Sequence, residues 1–79
     1  MKSAGSSGLQ FSKRALGRRI KDLRRKKGWS QTAFAAKCGV DRSYVARIEH
    51  GEANPRCSIL QIIASALGIS IFSLLKPIA

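Results

Sequence analysis

The sequence predicts an all-α domain of five short helices, and three observations carry that prediction. Apolar residues recur at helical spacing from Leu16 onward. Gly39 divides the stretch Gln31 to His50 into two short periodic segments. Gly68, Ser70 and Pro77 then stop and restart the chain where two further helices end and begin.

Taken in order, residues 1–10 (MKSAGSSGLQ) are rich in Ser and Gly, lack periodicity and read as a flexible leader, which leaves 11–79 as the folded domain. Between Lys13 and Lys27, Leu16, Ile20 and Leu23 form one apolar stripe on a helix whose remaining surface is basic. Ser30 is placed to cap a second helix that turns Phe34, Ala35 and Cys38 inward. Gly39 suits a left-handed turn, Val40 plugs the core, and Asp41 offers the cap of a third helix with Val45 and Ile48 inward. After the loop 50–57, Ser58 and Gln61 have the spacing of a capping box, with Ile59, Leu60, Ile62, Ile63 and Leu67 supplying core. Gly68 ends that helix, Ser70 caps a fifth from Ile71 to Leu75, and Pro77 prevents much continuation.

The set Ala35, Gly39, Val45 and Ile48 has the geometry of two helices crossing closely at about 90–120°, the helix-turn-helix, in which a small residue allows the approach. It leaves Arg42, Ser43, Ala46 and Arg47 pointing elsewhere. Charge narrows the partner: fifteen Lys and Arg against four Asp and Glu give a formal net charge of +11 and a pI near 11.0. A polyanion, with nucleic acid the common one, fits that balance. Nine of the fifteen basic residues lie between Lys13 and Lys27. The run Arg24 to Lys27 suits either a phosphate footprint or a solvated face.

Other classes find little support. No segment reaches the ~18 apolar residues of a membrane span, and the N-terminus lacks a signal-peptide core, so we expect a soluble cytoplasmic protein with no membrane partner. Cys38 and Cys57 are expected as reduced thiols, and one histidine, His50, without CxxC or HxxxH spacing leaves a metal without ligands. The four acids are Asp22, Asp41, Glu49 and Glu52, and they form no catalytic arrangement, so neither enzyme activity nor a cofactor is expected. Glu49, beside inward Ile48, and Arg24, beside Leu23, are placed either to pair between helices or to stay solvated.

The strings GWSQTAFA, GVDRSYVARIEHG, NP and IASALGI resemble the phage repressor and Cro-like (Xre) helix-turn-helix family over about residues 12–76. The stretch DRSYVARIE also resembles small controller proteins of restriction–modification systems. The resemblance implies a lambda-repressor-like five-helix DNA-binding domain, a regulator of transcription in a prokaryote or phage. Gln31 to Cys38 would lie over the backbone of double-stranded DNA and Arg42 to Glu49 in its major groove. Arg42 and Arg47 then stand where the family reads bases, and a guanidinium bonds guanine bidentately. Ser43 can meet a base edge or phosphate; Tyr44 can touch a thymine methyl, donate to a phosphate or pack internally. Ser30 and Gln31, at a helix N-terminus, and Asn54 and Arg56, in the next loop, are the expected backbone contacts.

Ile69, Ile71, Phe72, Leu74, Leu75 and Ile78 crowd the C-terminal segment, and Ile69, Ile71, Phe72 and Leu75 are the expected homodimer surface; the alternative is that all close a monomer core. Two other functions remain open on the sequence: an antitoxin-type interaction module, disfavoured because the chain stops at Ala79 without a toxin-binding tail, and a nonspecific nucleic-acid-coating protein.

Overall fold

The computed structural model describes residues 12–78, so the leader expected over residues 1–10 lies outside the described residues. The elements are α1 (Lys13–Lys26), α2 (Gln31–Cys38), α3 (Arg42–Glu49), α4 (Cys57–Leu67), α5 (Ile71–Leu75) and a closing 3₁₀ turn (Lys76–Ile78). Among the described residues there is no strand.

Helix α1 starts where the Ser12 hydroxyl accepts the Ala15 N–H at 2.8 Å. Its inward face is Leu16, Gly17, Ile20 and Arg24, while Leu23, expected on the stripe, is only half-buried. The helix is rolled toward Gly17 because α3 packs there. A Cβ at residue 17 would stand 2.7 Å from the Glu49 carbonyl oxygen and closer still to that of Ile48. Only hydrogen fits between the two backbones.

In α2 the Ser30 hydroxyl accepts from Ala33 N–H at 3.0 Å, and Phe34, Ala35 and Cys38 are buried. Gly39 adopts φ +71°, beyond which the N–H groups of Gly39 and Val40 donate to the carbonyls of Ala36 and Ala35. This is the Schellman pairing, and half-buried Val40 packs against the core just past it. The α3 cap differs from expectation. Asp41 occupies the N-cap position, but its side chain makes no capping bond; its backbone carbonyl accepts from Tyr44 and Val45. The preceding turn already sets the backbone, and the exposed carboxylate stays in water.

The capping box expected at Ser58 is absent, because α4 begins at Cys57 with Arg56 as N-cap, leaving Ser58 exposed in the first turn. Pro55 and Leu60, at the hydrophobic-staple positions on either side of the helix start, are both buried, and that burial fixes where the chain turns. Leu60, Ile63, Ala64 and Leu67 face the core. Ile62, expected there too, is 41% exposed because it lies about 200° around the helix from Leu60.

In α5 the Ser70 hydroxyl accepts from Ser73 N–H at 3.0 Å. Leu75, expected at the dimer surface, belongs instead to the core with Leu74. The cause is a tie to α1: the Arg19 guanidinium donates to the carbonyls of Ser73 (2.8 Å) and Leu74 (3.3 Å), which draws this turn inward. Phe72, on the other side, is 80% exposed.

Candidate nucleic-acid interface

A buried polar chain joins the first three helices. Glu49, at the end of α3, accepts Arg24 Nε at 2.7 Å and Arg24 Nη2 at 3.0 Å, a bidentate pair whose side chains are 9% and 1% exposed. The third guanidinium direction is used as well, because Arg24 Nη1 donates to the Trp29 carbonyl at 2.7 Å. Gln31, first residue of α2, donates its amide to Glu49 Oε1 at 3.0 Å and accepts Arg42 Nη1 at 3.3 Å. Among the described residues no buried side-chain polar atom lacks a partner. Every bond in the chain has a direction, so the angle between α2 and α3 is set by bonds as well as by packing.

The exposed surface beside the network is cationic. Arg42, Ser43 and Arg47 are exposed on α3, while Tyr44 is half-buried and packs against the core. Ser30 is exposed at its cap. In the following loop, buried Ala53 and Pro55 alternate with exposed Asn54 and Arg56, so two anchors hold two polar side chains outward. Gln31 is therefore inside the molecule's own network with Arg42 as its exposed end, whereas Ser43, Arg47, Asn54 and Arg56 are free to meet a ligand.

Three contributors were not foreseen from the sequence. Gly17 sets the α1–α3 approach, and its signal was a lone glycine inside a strongly amphipathic helix. Trp29 receives Arg24 and stacks on Phe34 with centroids 6.1 Å apart, while the Lys37 ammonium stands 4.7 Å from its ring. Arg19 ties α1 to α5, a role with no local signal. Burial pushes the Cys38 thiol above its ordinary range, which makes it a poor nucleophile; exposed Cys57 is also free.

Two short helices crossed over a left-handed glycine, locked to a third helix by a buried ion pair and carrying an outward cationic face, define a helix-turn-helix domain. The chain belongs to the HTH_3 helix-turn-helix family, whose family model matches residues 20–74. It is 43% identical over 51 residues to the "Neisseria hypothetical transcription factor" of Neisseria meningitidis, covering 65% of this chain and 48% of that protein. The chain thus spans about half the length of that relative. The crystal structure of the restriction–modification controller protein C.AhdI from Aeromonas hydrophila superposes with a TM-score of 0.76 at 37% identity, over 78% of this chain and 94% of that one. SinR, a master regulator for biofilm formation solved in complex with DNA, gives 0.72 and 38%, over 76% and 97%. The expected all-α, five-helix, repressor-like fold and its family are thus established. No single helix among the described residues is long and apolar enough to cross a membrane.

Proposed function

We propose that this chain is a sequence-specific, double-stranded DNA-binding regulator of transcription that works in the cytoplasm of a prokaryote or its phage. The observation that carries the reading is the exposed face of α3, Arg42, Ser43 and Arg47, held at a fixed angle by the Arg24–Glu49–Gln31 network. The DNA-bound SinR relative and the controller-protein neighbour support it.

In this reading α3 enters the major groove, and Arg42 and Arg47 donate to guanine O6 and N7, each good bidentate pair discriminating by about 1–3 kcal/mol. Ser43 meets a base edge or phosphate, and the Tyr44 hydroxyl reaches a neighbouring base or phosphate from its half-buried ring. Ser30, Gln31, Asn54 and Arg56 hold phosphates and set the register. Gln31 does so while steadying Arg42, which it already accepts at 3.3 Å. Phe72, with half-buried Ile69 and Ile71, forms the homodimer contact, placing two α3 helices about 34–36 Å apart on a pseudo-palindromic operator.

Selection from random duplexes tests the reading. An enriched inverted repeat is expected. In Arg42→Ala the ranking of operator variants should flatten at one position per half-site, whereas Arg56→Ala should weaken all sequences alike and lower the salt slope by about 0.9. Recovery of no preferred sequence, or an unchanged ranking in Arg42→Ala, overturns it. A purely monomeric sedimentation profile at high micromolar concentration removes the dimer.

A further inference from the structure

Half of the molecule's charge is not on the recognition face. Helix α1 carries eight Lys or Arg against the single acid Asp22. Arg14, Arg18, Lys21 and Arg25 are all exposed, and their spacing of i, i+4, i+7 and i+11 gathers them within about 60° of the helix circumference and along about 16 Å. Most of the remaining surface of α1 is engaged within the domain, with Lys13, Asp22 and Lys26 also exposed. Leu16 and Ile20 enter the core, Gly17 abuts α3, Arg24 pairs with Glu49, and Arg19 grips the carbonyls of α5. Among the described residues, Arg24–Glu49 is the only salt bridge, so no stripe residue is neutralised by an ion pair. Like charges at i, i+4 repel and weaken a helix, a cost that a bound polyanion removes.

We propose that this stripe is a second, sequence-independent docking surface for duplex DNA, so that one protein molecule joins the duplex held by α3 to another. The inference rests on the DNA-binding reading above. Charge complementarity selects the partner: about 16 Å of duplex axis presents roughly nine phosphate charges to the four cations. A membrane is a poorer fit, since an interfacial helix needs an apolar face to insert and that of α1 is consumed by the core. By helical spacing the stripe is centred about 80° around α1 from Gly17 and Arg24, the residues that face α3, although Arg14 at its start lies against Gly51 just past α3; unaltered operator affinity in the variant below is what separates the second duplex from the first.

The test uses the full chain, its selected operator duplex on beads and a labelled unrelated duplex in solution, with the variant carrying Arg14→Gln, Arg18→Gln, Lys21→Gln and Arg25→Gln beside the native protein. The native protein should retain the labelled duplex in a salt-sensitive way. The variant should keep or slightly raise its melting temperature and keep its operator affinity yet retain about tenfold less label, its salt slope for the second duplex falling by about 0.9 for each phosphate no longer neutralised. No retention by the native protein, or equal retention by the variant, overturns the proposal. So does a variant that loses operator affinity instead, since the stripe then serves the same duplex, or capture of anionic phospholipid vesicles in place of DNA. If selection returns no preferred sequence, an arbitrary duplex takes the operator's place on the beads, and label retention that still depends on the stripe would sink the operator reading alone.

Discussion

The two halves of the molecule are held by different chemistry. Helices α1 to α3 meet through directional bonds and a backbone contact: Glu49 accepts three donors from Arg24 and Gln31, and Gly17 leaves no room for a side chain. Helices α4 and α5 meet the rest mainly through the apolar side chains of Leu60, Ile63, Leu67, Leu74 and Leu75, with the Arg19 bonds to the Ser73 and Leu74 carbonyls as a peripheral directional tie, and leave Ile62 and Phe72 in solvent. Directional bonds fix an angle, which a surface that reads base edges needs. Apolar packing tolerates repacking and lets spare surface accept another protein face. The contrast implies that damage to the first half should cost both stability and discrimination, and damage to the second half's surface should cost association alone.

The largest expected effect is Glu49→Ala, which leaves the Arg24 guanidinium buried without its partner and should destabilise by about 3–5 kcal/mol in denaturant unfolding. Replacing the pair together with Met and Leu should restore most of that stability while leaving operator discrimination impaired; full recovery of discrimination would show that packing alone sets the angle. Next comes Gly17→Ala. At an open helical site this change gains about 0.5–1 kcal/mol, but against the Ile48 and Glu49 carbonyls it should lose about 1–3 kcal/mol. A stabilised variant would mean the seam is looser than the structure has it.

The two caps of the reading head should differ. Ser30→Ala removes a made hydrogen bond and should cost about 1 kcal/mol, whereas Asp41→Ala removes none and should stay within about 0.5 kcal/mol. Thermal melts of the pair decide it, and equal costs would return the capping role to Asp41. Smallest in stability is Phe72→Glu, expected within about 0.5 kcal/mol of the native monomer because the ring is 80% exposed. Its effect should appear in sedimentation as loss of the dimer, and an unchanged dimer would move the contact away from α5.

Apart from the Asp41 side-chain cap, which the structure does not make, the Ser30 to Ile48 segment was legible because its determinants are local: a hydroxyl cap, a left-handed glycine and a 3.6-residue period. The errors arose where a distant partner decides. Leu75 is equivalent in sequence to its surface neighbours until Arg19, more than fifty positions away, draws the carbonyls of Ser73 and Leu74 toward α1. Ser58 has the chemistry of a cap, yet buried Pro55 starts the helix earlier. Leu23 gave way to Arg24 because a glycine contact and an ion pair rotate α1. At the interface the residue types were readable, but the engagement of Gln31 with Glu49 was not, since its side chain suits a phosphate and a carboxylate equally.

The Arg19 grip on Ser73 and Leu74 also bears on how the domain is made. During synthesis α1 emerges first, but its contact with α5 cannot form until residues 71–75 have left the ribosome. Helices α2 and α3 can pair earlier through short-range contacts, whereas the last stage of closure waits on this long loop. A truncated product ending before Ile71 would therefore carry an assembled reading head on an unfinished core, open to proteolysis at the moment its cationic surface first becomes available.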